Sequence, residues 1–215
     1  MDAKMKNMVM TGMAALCLIL GIMAAMGGTW LVPDLDADEK EEMEDMGMDT
    51  GTALNYYWMS YDVTVMDLGD CEDMADGAED EMGGTASCDG DIMTVEMSFS
   101  DLCDDSDDDE ACDMATGGMI GTIGMWAGVL CALLVALTLI LPMAGVDAMD
   151  AMPDMGKMIT SWGAGGLMLV GILGWWMMLP DGGDMTMGMS SMMAIGAALL
   201  GLAAAAMDQF MDADE

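Results

Sequence analysis

Four long stretches without a charged side chain constrain this chain more than any other feature of its sequence. They are Asn7–Val32, Gly117–Leu141, Met158–Leu179 and Met185–Met207. Each is longer than the roughly 20 residues that an α-helix needs to cross about 30 Å of hydrocarbon. The sequence therefore predicts a multi-pass protein of the cell membrane, an all-α transmembrane four-helix bundle whose first partner is the lipid bilayer.

The first stretch has a second interpretation. Lys4 and Lys6 precede the apolar run, as they would in a cleavable signal peptide. The run is longer than the apolar region of a typical signal peptide, however, and it ends at Trp30, an aromatic residue suited to the membrane interface. These features favour an uncleaved span.

The connection between the first two stretches is strongly acidic. The chain has a net charge of −35, and 29 of its 39 acidic residues lie between Pro33 and Met114, where Lys40 is the single base. Such a segment repels nucleic acid and attracts cations, so we expect cations and not nucleic acid as partners. Two explanations remain open: a solvated surface adapted to a salty medium, and specific cation binding.

The lysines predict the orientation. Lys4, Lys6 and Lys157 fall on one side of the membrane if both termini are cytoplasmic, as the excess of positive charge inside the cell requires. The acidic segment and the Asp181–Asp184 turn are then outside. The predicted domains are a cytoplasmic N-terminus with helix 1 (1–32), an acidic extracellular domain (33–116), transmembrane helices 2–4 (117–207) and an acidic cytoplasmic tail (208–215).

Two segments of the acidic domain have the composition of strands. Residues 53–66 and 91–99 are rich in β-branched and aromatic side chains with partial alternation. We expect the two strands to pair antiparallel and to form a small β-containing layer. Asp34–Gly51, a charge run with scattered methionines, is typical of a flexible or weakly helical arm.

Four cysteines lie in the same domain, in a compartment that permits disulfides: Cys71, Cys88, Cys103 and Cys112. Three pairings are open. Antiparallel strands would bring Cys71 close to Cys88, so the favoured pairing is Cys71–Cys88, which staples a hairpin, with Cys103–Cys112 closing an Asp-rich turn. Metal binding by these cysteines competes, but they form no Cys-x-x-Cys pair.

The Asp-rich turn is a candidate calcium site. Asp105, Asp107 and Asp109 could supply the oxygen ligands that this cation prefers. Glu110 stands where an EF-hand loop requires glycine, so a solvated charge run is the competing interpretation. Thioethers suit Cu(I), but the 34 methionines lie along the whole chain and also serve as adaptable packing residues.

Small residues recur four positions apart in the apolar stretches, a spacing that lets helix backbones approach closely in lipid. The pairs are Gly117/Gly121, Gly124/Gly128, Ser161/Gly165 and Ala197/Gly201/Ala205. Packing within one bundle and contacts between copies are both open, the first being favoured.

Enzymatic chemistry has little support in the sequence. The chain contains no histidine and no arginine, which removes the commonest acid–base side chain and the usual bidentate anion clamp. No nucleophile–base pair or phosphate-binding loop is visible. We therefore expect no catalytic residues and no cofactor other than calcium.

Trp30 at the end of the first span, Trp58 within the acidic domain, and the Cys71 and Cys88 pair follow one another in an order that resembles the claudin and peripheral-myelin-protein-like four-span membrane proteins. The four spans, internal termini and large first outer loop also match that group. Trp58 is preceded by Tyr57 rather than Gly-Leu, and Cys103 and Cys112 have no counterpart in the group's pattern. The resemblance implies lateral assembly, cell contact or barrier roles, and charge-selective ion passage.

The function expected from these features is non-enzymatic. The acidic outer domain would mediate cell-surface contact or lateral assembly as a homo-oligomer or with other membrane proteins, bridged by cations. A pore-forming subunit of a cation-selective channel and an accessory subunit of a larger membrane complex are the alternatives.

Overall fold

A computed structural model of the chain describes residues 3–45, 53–55, 57–64, 71–82, 84–106, 109–141, 153–179 and 185–210. The helices are α1 (Ala3–Met26), α2 (Ala37–Asp45), α3 (Cys71–Met82), α4 (Phe99–Ser106), α5 (Asp109–Ile140), α6 (Asp154–Trp176) and α7 (Met189–Phe210). The strands are β1 (Leu31–Pro33), β2 (Ala53–Leu54), β3 (Trp58–Thr64), β4 (Thr85–Asp89), β5 (Ile92–Ser98) and β6 (Met185–Met187). They divide between two compact units.

The first unit, here the helical unit, comprises residues 1–27, 121–174 and 190–215. Its helices are successively antiparallel. At one end Lys6 Nζ donates to the Asp208 carbonyl at 3.3 Å, and at the other Gly27 lies against Ser190, so α1 and α7 run in opposite directions. This arrangement puts the described start of α1 and the end of α7 at the same end of the unit.

Small side chains form much of the interior of the helical unit, together with the buried Met125, Met168 and Ile172. A Cβ added to Gly124 would lie 2.5 Å from the Gly171 Cα, and one added to Gly201 would lie 2.8 Å from the Gly165 Cα. Because a side chain cannot fit at these distances, glycine is required where α5 crosses α6 and where α6 crosses α7. These contacts account for much of the predicted small-residue spacing by packing within one chain.

The second unit, here the sheet unit, comprises residues 28–120 and 175–189. It contains a six-stranded sheet of order β4-β5-β3-β2-β1-β6 in which every neighbouring pair is antiparallel. The predicted pairing of the 53–66 and 91–99 segments is confirmed, since β3 pairs with β5 from Trp58↔Ser98 to Thr64↔Ile92.

The sheet extends beyond the predicted domain boundaries. The first apolar stretch ends as a helix at Met26 rather than Val32, and β1 follows it. The fourth helix begins at Met189, so the methionines before it form edge strand β6 instead of a helical turn. Helix α5 begins at Asp109, eight residues before the predicted start, because the charged residues at its N-terminus continue the same helix.

The prediction that the 53–66 and 91–99 strands form one hairpin stapled by Cys71–Cys88 is wrong, although the disulfide is present. Between β3 and β5 the chain forms helix α3 and then strand β4, and the actual hairpin is β4–β5. Gly90, with a φ of 65°, supplies the positive backbone angle that this two-residue turn requires. Helix α3 forms because Met74, Ala75 and Ala78 recur at helical spacing among its acidic residues.

Two helix starts in the sheet unit are capped by their own sequence. Asp36 Oδ1 accepts hydrogen bonds from the backbone N–H of Asp38 and Glu39, and Glu39 Oε2 accepts one from the Asp36 N–H. This reciprocal capping box initiates α2. The Ser98 hydroxyl accepts from the Ser100 N–H and begins α4 directly after β5.

Candidate interaction surface

The helices provide the first feature relevant to function. Among the residues that the structure describes, α1, α5, α6 and α7 are long and apolar enough to cross a membrane. In the helical unit many of their large apolar side chains face outward, while alanine and glycine predominate inside beside a few large residues such as Met125, Met168 and Ile172. The outward residues include Leu16, Ile19, Ile22, Met23, Ile123, Trp126, Leu130, Leu133, Leu167, Val170, Leu173, Met192 and Leu199.

The interior of the helical unit leaves little free space. A cavity of about 10 Å³, enough for one water molecule, lies between the four helices. Its lining is apolar except for Ser161 and the buried thiol of Cys17. With glycine-to-glycine contacts at the crossings and no charged side chain in the apolar helix segments, the unit has the packing of a closed bundle.

The two faces of the sheet differ sharply. On one face Met93 and Val95 are buried against Ala75 and Ala78 of α3. The opposite face carries oxygen-bearing side chains in register, with Ser60 opposite Glu96 and Asp62 opposite Thr94. On β4 the same face presents Thr85, Ser87 and Asp89, all exposed, and Ile92 is its apolar member on β5.

We call Ser60, Asp62, Thr85, Ser87, Asp89, Thr94 and Glu96 the hydroxyl–carboxylate face. Its side chains offer oxygen atoms to cations and to water. Glu96 is exposed and Asp62 is half-buried. This face arises because strands with period-two alternation place their apolar residues toward α3 and their polar residues on the other side.

A second core of the sheet unit surrounds Trp30. The Trp30 indole is fully buried and meets Trp175 edge-to-face at a ring separation of 5.1 Å. The backbone N–H of Trp30 donates to the Leu54 carbonyl at 2.9 Å. Trp30, expected at the membrane interface as the end of a span, is therefore a core residue of the sheet unit.

The structure contains the two disulfides favoured from the sequence. Cys71 at the start of α3 is bonded to Cys88 of β4, and Cys103 of α4 is bonded to Cys112 of α5. Cys17 and Cys131 are free. Trp58, the other residue of the family resemblance, packs its ring over Gly28, where an added Cβ would lie 2.9 Å from the indole.

The calcium prediction remains a prediction. Asp109 is exposed at the first position of α5, and Asp105 belongs to α4, while Asp107 lies outside the described residues. Within the described part of the chain, no group of three or more acidic or cysteine side chains is arranged to hold a metal ion. The Asp181–Asp184 turn, predicted outside the cell, also lies outside the described residues.

Sequence reasoning missed helix α3 and strands β1, β4 and β6 of this unit. Helix α3 covers one sheet face and could have been found from its apolar spacing, but the density of acidic residues hid the pattern. Strand β6 gave no usable signal, because three residues are too few to show a period. No protein-family model matches the chain, and no curated protein is similar to it.

Proposed function

We propose that this chain is a non-enzymatic four-span integral membrane protein whose acidic sheet unit mediates contact or lateral assembly at the cell surface, bridged by cations. The observation that carries the membrane assignment is the outward placement of large apolar side chains on the helices. A bundle folded in water would place Leu, Ile and Trp inside, whereas small interior residues and large exterior ones suit a lipid surround.

The support for a contact role is the hydroxyl–carboxylate face. Its carboxylates repel a like-charged copy in low salt, and cations at the face would reduce that repulsion and share its oxygen ligands. The resemblance to claudin-like proteins points to the same class of function by analogy. Both termini are proposed to be cytoplasmic, with Lys6 and Lys157 on the inner side.

The pore alternative is less well supported. In the part of the helical unit that the structure describes, glycine contacts close the crossings of α5 with α6 and of α6 with α7, so these crossings offer no passage for a hydrated ion. A path between several copies is the form of this alternative that these contacts leave open. Single-channel recording in planar bilayers distinguishes the two functions, because a contact protein gives no cation-selective steps.

The contact function is tested with purified protein reconstituted into vesicles. We expect vesicle association, or oligomer formation within one vesicle, to rise with added Mg²⁺ or Ca²⁺ at constant ionic strength. The D62N/E96Q double variant of the hydroxyl–carboxylate face should reduce this response several-fold.

The matched control is E41Q/E42Q, which removes the same charge at exposed positions of a different element, helix α2. It should behave like the unmodified chain. An equal loss in both double variants would show that total charge, and not this face, controls association. No association at any cation concentration would contradict the proposed function.

A further inference from the structure

The two edges of the sheet differ in how their backbone groups are satisfied. At the β4 edge, the two-residue turn makes Asp89 and Ile92 a hydrogen-bonded pair, so Ala86 and Cys88 point their backbone groups away from β5. The Ala86 N–H donates to Glu79 Oε1 of α3 at 2.9 Å, and Cys88 is tied to α3 by its disulfide. Helix α3 therefore protects this edge.

The β6 edge has no such protection in the part of the chain that the structure describes. The register Leu31↔Met187, Val32↔Thr186 and the bond from the Gly188 N–H to the Trp30 carbonyl at 2.9 Å fix its hydrogen-bonding phase. In an antiparallel ladder this phase pairs the backbone of Thr186 with Val32. The N–H and C=O groups of Met185 and Met187 consequently point outward, beyond the end of the sheet.

The side chains of β6 add to the difference. Met185 and Met187 are each 38% exposed, and Thr186 is also exposed. None of the three is charged, although the chain as a whole carries −35. Proteins usually guard a free edge with charge, proline or a covering segment, and among the described residues β6 has only its shortness.

We propose that β6 is an assembly edge, which pairs antiparallel with β6 of a second copy of this chain, Thr186 opposite Thr186. In this register Met185 of each copy faces Met187 of the other, and their outward groups form four hydrogen bonds. The strand is self-complementary because Met185 and Met187 lie symmetrically about Thr186. This inference rests on the proposed assembly function and adds a backbone contact between copies to the cation-bridged contact proposed for the hydroxyl–carboxylate face.

The choice of a second copy follows from the edges and the charge. A head-to-tail ladder between copies would need a free β4 edge, which α3 occupies. The β6 edge is therefore available to pair with the β6 edge of a second copy. Like-charged copies repel each other over their acidic surfaces, and an uncharged strand is where their backbones can meet. Four hydrogen bonds are worth little in water, and confinement in a membrane raises the effective concentration that makes them sufficient.

The test is a cysteine at the centre of the pairing. Thr186 would form a non-hydrogen-bonded pair with Cα atoms about 4.5 Å apart, a distance that a disulfide spans. In a C17A/C131A background, T186C should cross-link to a dimer on oxidation with copper phenanthroline, at least five-fold more than T116C. Thr116 is a matched control, an exposed threonine on α5 that belongs neither to β6 nor to the hydroxyl–carboxylate face.

A second variant separates pairing from folding. M187P removes an N–H that points outward, so it leaves the ladder with β1 intact while deleting donors between copies. Added to T186C, it should lower cross-linking at least five-fold without changing the thermal unfolding midpoint. Equal cross-linking with and without M187P would overturn the pairing, as would T186C and T116C reacting alike.

The failure of this edge can be distinguished from failure of the proposed function. Two differently tagged copies are co-expressed or mixed as vesicles, and co-purification reports association of any kind. Association without T186C cross-linking in either preparation would overturn the β6 edge and leave assembly standing. No association at all would overturn both.

Discussion

The helical unit and the sheet unit bury their interiors by different means. In the helical unit, backbones approach one another at glycine and alanine, and large side chains face outward. The sheet unit has a small core of Ala75, Ala78, Met93 and Val95 beneath α3, a second core around Trp30, and two disulfides. The first unit depends on close fit and the second on covalent links, so the two should respond differently to the same perturbation.

The largest expected effect is the loss of the Cys71–Cys88 bond. This disulfide closes 17 residues, and restricting the unfolded chain to that extent stabilises by about 3 kcal/mol. In the C71A/C88A variant the sheet unit should therefore lose its resistance to proteolysis, while the helical unit remains resistant.

The matched control is C17A/C131A, which removes two thiols that are not bonded. It should leave both units resistant to protease at the same temperature. If C71A/C88A opened the helical unit as readily as the sheet unit, the contrast between close fit and covalent links would be wrong.

Two neighbouring glycines in α6 test the close fit. A Cβ at Gly165 would lie 2.5 Å from the Leu202 backbone nitrogen, whereas a Cβ at Gly166 has no neighbour within 4 Å. Overpacking of this kind costs about 1–3 kcal/mol, so G165A should lower the unfolding midpoint by several degrees. G166A should match the unmodified protein, and equal destabilisation by both would show that the crossing can relax.

A smaller effect is expected at Lys6. Its ammonium donates to the Asp208 carbonyl in the last turn of α7, which has no basic residue of its own there. A cation at a helix C-terminus contributes about 0.3–1 kcal/mol. K6M should lower the free energy of unfolding by that amount, measured as a lower thermal midpoint, and K6R should preserve it. A midpoint for K6M indistinguishable from that of K6R would remove the interaction from the account of the helical unit.

The smallest effect should come from salt, and it should divide the units. The Debye length falls from about 10 Å at 0.1 M to 3 Å at 1 M, so screening should raise the unfolding midpoint of the acidic sheet unit by less than the K6M effect and leave that of the helical unit unchanged. Differential scanning calorimetry in sodium chloride measures this. Identical shifts of both transitions would contradict the assignment of repulsion to the sheet unit.

Calcium at matched ionic strength extends the same measurement. A specific site would give a saturating rise in midpoint at low concentration, and D105N/D107N/D109N would abolish only that component. Calcium and sodium acting alike would reduce the Asp-rich turn to a solvated run. This experiment tests the predicted calcium site directly. The positions of Asp105 on α4 and Asp109 on α5 do not decide it.

Much of the fold could be predicted because a pattern that persists over a long segment is easy to recognise in the sequence. The four apolar helices and the β3–β5 pairing follow from 20-residue and seven-residue patterns, and the cysteine spacing favoured the two bonds that the structure contains. The burial of Trp30 in the core of the sheet unit could not be predicted. A tryptophan after an apolar run fits a membrane interface as well as a core, and its contact with Trp175 joins residues that are 145 positions apart.

The candidate surface was harder to anticipate than the fold. The partial alternation in β3 and β5 predicted paired strands, but their polar residues could be placed opposite one another only from the register. The β6 edge depends on which backbone groups point outward, and composition contains no information about hydrogen-bonding phase. Helix α3 could have been predicted from its apolar spacing and was obscured by its acidic residues.

The beginning of α5 sets a limit on how related sequences could vary. Cys112 must reach Cys103, while Gly117, five residues later on the same helix, must lie against Trp175 and Met178 without a side chain. Each inserted or deleted residue turns a helix by about 100° and shifts it by 1.5 Å. An indel between Cys112 and Gly117 would bring a different residue against Trp175, so natural relatives should vary in loop length elsewhere and keep this spacing constant.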